Sequence, residues 1–324
     1  MIVTIVVAVF VYRSPESGNF FYFCIWLISS LEKFLLKWKI VWNKGVFRMG
    51  KGMKVDKYEF DFSSKTYIMG ILNVTPDSFS DGGKYVQSYS SLQHAKEMIE
   101  NGADIIDIGG ESTRPGFQPV STEDEINRVV PIIQQLKEHI DAPLSIDTYK
   151  SETAEAAIKA GAHIINDIWG AKRDPEIADV AKKYNVPIIL THNRENPQYD
   201  IFLRDSLYDL YESISICKSR GVSDEQIILD PGIGFAKTYE QNVEMMQNLD
   251  KIVSLGYPVL LGTSRKSLIG NALKLPVEER IEGTGATVCY GIMKGCQIIR
   301  VHDVKEMSRM AKMMDVLVKG TAHQ

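Results

Sequence analysis

Residues 101–107 read NGADIID, residues 160–167 read AGAHIIND, and residues 255–261 read LGYPVLL. Each stretch contains the end of a helical pattern, a glycine, a short turn and then an apolar run. Glycine is common just past a helix end, because it adopts a left-handed backbone conformation at little steric cost. The apolar runs hold Ile, Val and Leu without polar alternation, as do strands that are buried on both faces. These joints therefore predict units in which a helix leads into a buried parallel strand.

Eight apolar runs of this kind lie between residues 66 and 318, with helical patterns between them. They are Ile68–Leu72, Ile105–Ile108, Leu144–Ile146, Ile164–Ile165, Val186–Leu190, Ile227–Leu229, Val259–Leu261 and Ile298–Val301. Eight alternations over about 250 residues match the length and order of a (β/α)8 TIM barrel. An open doubly wound sheet is the rival fold, but no G-x-G-x-x-G motif follows the first strand. We therefore predict an α/β chain folded as a TIM barrel, with a short hairpin arm at Tyr58–Phe62 before it and N-caps at Ser121 and Ser151.

The composition sets limits on partners and compartment. The chain has 324 residues, of which 44% are hydrophobic, so it can bury a large core. Its net charge is −4 and it has no basic stripe, so nucleic acid is not an expected partner. Cys24, Cys217, Cys289 and Cys296 form no CxxC motif. Free thiols in a reducing compartment are the simplest interpretation, and we expect a cytoplasmic location.

The first 48 residues differ from the rest of the chain. They hold three of the four tryptophans, and they carry six Lys and Arg residues against two Asp and Glu residues. Their two apolar runs, Ile2–Tyr12 and Phe20–Ser30, have 11 residues each. A membrane-spanning helix needs about 20 residues. A signal peptide is also not indicated, because no basic segment precedes the first run.

We expect residues 1–52 to be an N-terminal extension that is weakly structured or foreign to the native protein, and residues 53–324 to form the domain. A misassigned start codon, with Met49 or Met53 as the true start, is the favoured interpretation. An interfacial membrane anchor and a structural extension are the alternatives. Measuring the intact mass of the native protein distinguishes them, because a mass that matches the whole sequence excludes misassignment.

Every predicted barrel strand ends in polar side chains. In chain order they are Asn73, Asp107, Asp147, Asn166 with Asp167, His192 with Asn193, Asp230, Ser264 with Arg265 and Lys266, and Arg300 with His302. The carboxyl ends of barrel strands form one face, and TIM-barrel active sites lie there. One such residue alone is often only a helix N-cap or a member of a loop ion pair. Eight sets at one face favour a ligand site, because charges that are brought together lose hydration unless a partner compensates them.

The first half of this predicted site suits a flat, aminated heterocycle. Asp147, Asn166 and Asp230 follow neighbouring or nearby strands. A carboxylate accepts hydrogen bonds from amino and ring N–H groups, and an amide both donates and accepts. These three side chains therefore predict a pocket for a polar ring.

The second half suits an anion. Lys266, Arg300 and His302 follow the last two strands and can bind a group such as a phosphate ester. Two Gly- and Pro-rich segments, residues 73–85 and 109–119, are either lids over the site or ordinary surface loops.

At these residues the sequence resembles the dihydropteroate synthases. The resemblance lies in a set of motifs that occur in the family's order and at similar spacing. They are ILNVTPDSFSDGG (Ile71–Gly83), DIGGESTRPG (Asp107–Gly116), SIDT, NDI, DPGIGF, GTSRKSLIG and RVHD. The match covers residues 66–318 and is highly specific as a set, whereas the first 48 residues have no counterpart.

The resemblance implies a reaction of folate biosynthesis. This family joins 4-aminobenzoate to (7,8-dihydropterin-6-yl)methyl diphosphate, forms 7,8-dihydropteroate and releases diphosphate, with Mg²⁺ as the implied cofactor. The implied catalytic residues are Asp147, Asp230 and Lys266, and the implied metal ligand is Asn73. The implied substrate-binding residues are Thr113, Arg114, Asp147, Asn166, Asp230, Lys266, Arg300, His302, Phe79, Phe235 and Ser267.

The roles within that set follow the family's pattern. Asp147, Asn166 and Asp230 would hold the pterin, with Lys266 at its edge. Arg300 and His302 would bind the diphosphate, and Thr113 and Arg114 would belong to the second loop. Phe79, Phe235 and Ser267 would shape the aminobenzoate site. The resemblance also implies small-molecule substrates, a homodimer and a target of sulfonamides.

Two alternatives and one departure from the family stay open at this point. A pterin-binding methyltransferase domain, acting between a folate and a corrinoid, would not need the ESTRPG, SRK and RVHD motifs. A non-catalytic pterin-binding homologue should have lost anion or metal residues, yet Asn73 and His302 are both present. Many relatives have Met-His-Met after the fifth strand, where this chain has Thr191–Arg194. That difference leaves the contacts of Asn193 and Arg194 undefined.

Overall fold

The computed structural model describes residues 52–74, 84–111 and 120–320. A hairpin comes first: strand β1 (Met53–Val55) pairs antiparallel with strand β2 (Tyr58–Phe60). The predicted hairpin arm is therefore confirmed. The expectation for the N-terminal extension lies outside the described residues, apart from Gly52.

Eight parallel strands follow and form the barrel. They are β3 (Tyr67–Asn73), β4 (Ile105–Gly109), β5 (Leu144–Asp147), β6 (Ile164–Asp167), β7 (Ile188–Thr191), β8 (Ile227–Asp230), β9 (Leu260–Leu261) and β10 (Ile298–Val301). Their order in the sheet is β8-β7-β6-β5-β4-β3-β10-β9. A parallel bridge between Leu229 and Val259 joins the two end strands. The predicted TIM barrel is confirmed, with every predicted strand within two residues of its expected bounds.

Helices connect the strands and surround the sheet. They are α1 (Lys84–Glu100), α2 (Thr122–His139), α3 (Ser151–Ala160), α4 (Ile177–Tyr184), α5 (Phe202–Ser219), α6 (Tyr239–Gln247), α7 (Leu249–Val253), α8 (Ser267–Leu273), α9 (Ile281–Met293) and α10 (Val304–Lys319). The three glycines of the repeated joint, Gly102, Gly161 and Gly256, all have positive φ angles. This finding confirms that these positions adopt the backbone conformation that favours glycine. Within the described residues, no helix is long and apolar enough to span a bilayer.

The two expected N-caps have different outcomes. Ser121 caps α2, since its hydroxyl accepts a hydrogen bond from the Asp124 amide at 3.1 Å. Ser151 does not cap α3, because it is the first residue of that helix. Its own amide instead donates to Asp174 Oδ2 at 2.7 Å. A carboxylate from the next loop thus satisfies a helix-end donor that a local cap would otherwise serve.

The barrel interior is apolar at its amino end. One cluster of buried side chains joins the hairpin to the inward-facing residues of the strands. It contains Met53, Val55, Phe60, Phe62, Tyr67, Met69, Ile105, Ile164, Ile189, Ile228, Leu260 and Ile298. The intervening strand residues, such as Ile106 and Ile165, pack instead in the larger core with the helices. The hairpin therefore contributes to the apolar core of the barrel.

Candidate active site

The two-residue period of a strand carries polar side chains to the interior of the barrel's carboxyl end. Ile105, Ile164, Ile228 and Ile298 lie in the apolar interior layer. Two residues further along the same strands come Asp107, Asn166, Asp230 and Arg300. Because successive side chains alternate between faces, these four point to the same side as the isoleucines. Asp147 reaches the interior in the same way, two residues after Ser145, and both are buried.

Arg300 lies between two buried carboxylates. Its Nε donates to Asp107 Oδ2 and one terminal nitrogen donates to Asp147 Oδ2, both at 2.6 Å. Asn166 Nδ2 donates to the same Asp107 oxygen at 3.1 Å. The side chain of Asp107 is fully buried, and that of Arg300 is 19% exposed. These two bonds use two of the five guanidinium N–H groups, so the others can serve a ligand.

One oxygen on each carboxylate lacks a hydrogen bond. Asp107 Oδ1 and Asp147 Oδ1 are buried and have no partner among the described residues. Burial raises the pKa of Asp147 to about 7, against the opposing effect of Arg300, and Asp107 raises it further. A buried acceptor without a donor is unfavourable, and such groups in native proteins often mark a ligand's place. The two oxygens can therefore accept hydrogen bonds from the N–H groups of a bound ring.

Asp230 and Lys266, a second pair of opposite charges, flank Gly262 at the mouth and influence each other electrostatically. The Gly232 amide donates to Asp230 Oδ1 at 2.7 Å. Burial raises the pKa of Asp230, while Lys266 lowers it. Burial also lowers the pKa of Lys266 to about 8, against the effect of Asp230. Lys266 Nζ donates to the Ile233 carbonyl and lies 4.7 Å from the centre of the Phe235 ring.

Gly262 shows how closely these groups approach one another. A methyl group on its Cα would lie 3.9 Å from Arg300 Cβ. It would lie 4.0 Å from both Asp230 Oδ2 and Lys266 Nζ. Side chains of β8, of β10 and of the loop after β9 therefore meet around one glycine.

Asn73 approaches the same cluster from β3. A methyl group on Gly109 would lie 3.7 Å from Asn73 Oδ1 and 3.8 Å from Asp147 Oδ2. Both oxygens therefore flank one residue, and the Asn73 side chain is exposed to solvent. Among the residues described, no group of three or more His, Cys, Asp and Glu side chains could hold a metal ion.

The end of β10 is braced by the loop after β9. Ser264 Oγ accepts from the His302 amide at 3.1 Å and lies 2.9 Å from His302 Nδ1. Arg265 pairs with Asp303 through both ends of its guanidinium group. Ser267 follows Lys266 directly, begins α8 and is exposed to solvent.

The segment after β7, which the sequence left undefined, packs against α5. Arg194 forms an ion pair with Asp209 and lies 4.3 Å from the centre of the Tyr199 ring. The Asn193 carbonyl accepts from Lys172 Nζ at 2.6 Å. A cavity of about 520 Å³ opens beside this segment, and Arg194 and Trp169 are among its lining residues. None of the strand-end carboxylates lines it, so it is separate from the cluster around Arg300.

The structure brings most of the expected residues together. Hydrogen bonds or short distances connect seven of them at the mouth, and His302 lies on the adjoining loop. The seven are Asn73, Asp147, Asn166, Asp230, Phe235, Lys266 and Arg300. The expectations for Phe79, Thr113 and Arg114 fall outside the described residues.

The sequence reasoning missed two functional residues, one inside the site and one beside it. Asp107 was noted only as a strand-end residue, although its position two residues after Ile105 indicates an inward side chain. Lys237 has no sequence signal of this kind, because it lies seven residues beyond the end of β8. Its contacts depend entirely on how the intervening turn folds.

The comparisons with known proteins agree with this geometry. A family model described as pterin binding enzyme matches residues 69–302. A dihydropteroate synthase from Clostridium beijerinckii is 63% identical over 268 residues, which cover 82% of this chain and 100% of the relative. A solved dihydropteroate synthase from Clostridium difficile, in the presence of pteroic acid, is 48% identical with a TM-score of 0.79 and covers 80% of this chain and 99% of its own.

A second solved structure extends the likeness to a more distant relative. The dihydropteroate synthase of Xanthomonas albilineans with 4-aminobenzoic acid is 35% identical, with a TM-score of 0.78, and covers 82% of this chain and 97% of its own. The family match spans well over half of the chain, and the similar proteins are matched along nearly their whole length. This chain therefore belongs to the dihydropteroate synthase family of pterin-binding enzymes.

Proposed function

We propose that this chain joins 4-aminobenzoate to (7,8-dihydropterin-6-yl)methyl diphosphate, giving 7,8-dihydropteroate and diphosphate. The observation that carries the proposal is the pair of unpartnered carboxylate oxygens, Asp107 Oδ1 and Asp147 Oδ1, buried beside Arg300. An aminated pterin supplies the N–H donors that these oxygens lack. The similar proteins bear the name of this activity, and two of them were solved with pteroic acid or 4-aminobenzoic acid.

The pterin ring binds among the side chains of strands β5, β6 and β8. Asp147 and Asp230 accept from its amino and ring N–H groups, and Asn166 pairs with its amide edge. Asn166 already donates to Asp107, which orients its carbonyl oxygen by holding the amide nitrogen. Lys266 lies at the edge of the ring, where its ammonium group also faces Asp230.

The carboxylates favour a dissociative reaction. The bond between the exocyclic methylene carbon and the diphosphate oxygen breaks, and diphosphate leaves with the electron pair. The positive charge that develops spreads into the dihydropterin ring, where Asp147 and Asp230 stabilise it across a pocket with little water. The amine nitrogen of 4-aminobenzoate then bonds to the methylene carbon and loses a proton. No protein nucleophile is required.

Arg300 and His302 interact with the diphosphate leaving group, and Asn73 interacts with it through a metal ion. Arg300 and His302 bind the diphosphate, and Arg300 does so with the N–H groups that Asp107 and Asp147 leave unused. The donor set at Asn73 fits Mg²⁺, which takes oxygen ligands and commonly binds through one or two protein groups, water and substrate phosphates. When bound, Mg²⁺ would neutralise charge on the departing diphosphate. Asn73 would hold it through Oδ1, which with Asp147 Oδ2 flanks Gly109.

The second substrate binds above the pterin. Phe235 and Ser267 lie on the loops around Lys266, and we assign them with Phe79 to the aminobenzoate site. We assign Thr113 and Arg114, on the second loop, to substrate binding as well. Cys217, Cys289 and Cys296, which lie in the part of the chain that the structure describes, are free thiols, and they support a reducing, cytoplasmic setting for this chemistry.

The direct test is an assay of the full chain for diphosphate release. We expect release to require both 4-aminobenzoate and the pterin diphosphate, and to yield 7,8-dihydropteroate in equal amount. Methyl transfer between a folate and a corrinoid, without diphosphate release, would replace the proposal with a methyltransferase. Tight pterin binding without either reaction would indicate a non-catalytic pterin-binding protein.

Asp147→Asn tests the role of Asp147 in stabilising positive charge. The amide keeps the size of the side chain but removes its negative charge, so the transition state loses more than bound pterin does. We expect kcat to fall about 100-fold while pterin affinity changes less than about tenfold. Steady-state kinetics and calorimetry of pterin binding separate the two effects. Asp141→Asn, at an exposed site on the opposite end, is the matched control. Lost affinity with retained turnover would reject the role.

The pKa of Lys266 predicts the alkaline side of the pH profile. Burial lowers that pKa to about 8, so the ammonium group loses its charge as the pH rises through that value. We expect kcat/KM to fall above about pH 8, because the free enzyme then lacks a cation at the site. Lys266→Arg keeps its charge to much higher pH and should lose this decline, even if its overall rate is lower. An unchanged alkaline limb in Lys266→Arg would assign the decline to another group.

The last two long helices support a homodimer. Met293 on α9 and Met313, Val316 and Leu317 on α10 are exposed, and Leu317 is 67% exposed. The spacing of the α10 residues places them on one stripe of the helix. We expect a dimer in sedimentation analysis and partial dissociation for Leu317→Glu. Ile201→Glu, at another exposed apolar residue, should leave the mass unchanged. A monomeric wild-type chain would reject the dimer.

A further inference from the structure

The turn that follows β8 presents its carbonyl groups to two different lysines. Lys237 Nζ donates to the Gly232 carbonyl at 2.8 Å and to the Phe235 carbonyl at 3.0 Å. Lys266 Nζ donates to the Ile233 carbonyl, which lies between those two in the sequence. The peptide groups of one turn are thus divided between a lysine of the site and a lysine outside it.

The turn cannot hold this shape by local preference alone. Gly232 and Gly234 have φ angles of +66° and +86°, and Ala236 has a φ angle of +46°. Such values are unusual for a residue with a side chain, as at Ala236. A methyl group on Gly232 would lie 1.9 Å from the His192 carbonyl oxygen, so the turn packs directly on the end of β7. External contacts must therefore stabilise the conformation.

His192 connects Lys237 to the helical layer. Lys237 Nζ lies 2.6 Å from His192 Nδ1, and His192 Nε2 lies 2.9 Å from Asp209 Oδ2 on α5. The carboxylate requires a proton on Nε2, which leaves Nδ1 as the acceptor for the ammonium group. The imidazole is fully buried, and burial lowers its pKa to about 4, so it is neutral near pH 7.

We propose that Lys237 is a positioning residue, which fixes the turn so that the Ile233 carbonyl and the Phe235 ring hold Lys266 in place near Asp230. The inference rests on the proposed function, since it deepens the account of Lys266 in that reaction. Lys237 binds the carbonyls on either side of Ile233, and this leaves the Ile233 carbonyl directed at Lys266. The Gly232 amide, in the same turn, donates to Asp230. Both members of the charged pair thus depend on one braced turn.

A double-mutant cycle between Lys237 and Lys266 tests this role. Lys237→Met keeps an unbranched side chain one atom shorter and removes its donors, and a small displacement of Lys266 can then cost about 10- to 100-fold in kcat/KM. In a chain that already carries Lys266→Ala, the same change should cost less than about twofold, because residues that act as a unit are not additive. Pterin affinity, measured by calorimetry, should show the same pattern. An equal fold-loss in both backgrounds would overturn the proposal.

Lys319 provides the control for general loss of structure. Its side chain is 17% exposed, pairs with Asp315 and donates to Thr66 at the start of β3, away from the site. Lys319→Met should lower Tm and combine additively with Lys266→Ala. If Lys237→Met does not fold, the same cycle is measured with His192→Leu, which removes the Nδ1 acceptor of Lys237 together with the Nε2 contact to Asp209. An additive result there also overturns the proposal, whereas a wild-type chain that releases no diphosphate counts against the proposed function instead.

Discussion

Arg300→Met should lower kcat/KM by about 1000-fold and reduce the free energy of unfolding by about 3–5 kcal/mol. Arg300 is bonded to Asp107 and Asp147, and both carboxylates are buried. Without the guanidinium group, two buried negative charges face each other and no cation neutralises them. The reaction also loses a cation that we assign to the diphosphate. Steady-state kinetics and urea denaturation measure the two losses separately.

The stability loss should depend on pH in a defined direction. The pKa of Asp147 is already raised by burial and lowered by Arg300, so removing Arg300 raises it further. An acid with a higher pKa in the folded state binds a proton on folding, and its unfavourable effect on stability grows as the pH rises through that range. The deficit of Arg300→Met should therefore be larger at pH 8 than at pH 5. A deficit that shrinks as the pH rises would contradict this electrostatic explanation.

Arg220→Met is the matched control for the loss of an ion pair. Arg220 pairs with Asp179, and both side chains are partly exposed, at 34% and 54%. Exposed pairs contribute about 1 kcal/mol or less. We expect normal activity and a small change in stability. A loss as large as that of Arg300→Met would mean that burial is not the cause of the Arg300 effect.

Lys266→Ala should have the second-largest effect on the reaction, with a loss of about 100- to 1000-fold in kcat. The Lys266 ammonium group donates to the Ile233 carbonyl and lies 4.7 Å from the centre of the Phe235 ring. It also lies near Asp230, on the same side of Gly262. After the truncation Asp230 stays buried and keeps its hydrogen bond from the Gly232 amide. It loses the electrostatic attraction of the Lys266 ammonium group. Single-turnover measurements with saturating substrates report the chemical step directly.

The stability of Lys266→Ala should fall much less than that of Arg300→Met. Arg300 bonds directly to two buried carboxylates, whereas Lys266 donates to the Ile233 carbonyl, so its removal breaks no direct bond to a buried charge among the described residues. Lys305→Ala, at an exposed lysine on α10, should leave both activity and stability unchanged. Near-normal turnover in Lys266→Ala would remove Lys266 from the catalytic group.

The sequence alone predicted the strands of the barrel well. Buried parallel strands are short apolar runs, and the helix-to-strand joints carry a glycine whose positive φ has a steric cause. The N-cap at Ser151 failed for a tertiary reason, since Asp174 from a different loop supplies the capping oxygen. The local sequence cannot show which distant group will accept a hydrogen bond from an amide at the start of a helix.

The sequence also determined which side chains face the interior of the mouth. The two-residue period that buries Ile105 and Ile298 carries Asp107 and Arg300 to the same side of their strands. This period follows from the backbone alone and needs no knowledge of the packing.

Only the tertiary structure decided which of these groups are partners. Arg300 bonds to Asp107 across 193 residues of sequence, and Lys237 reaches His192 across 45. Closing the barrel places the last strand beside the first, so residues from the two ends of the domain become neighbours. A strand's period fixes the face on which a side chain lies, but the angle and depth at which it meets a partner depend on the packing of every strand between them.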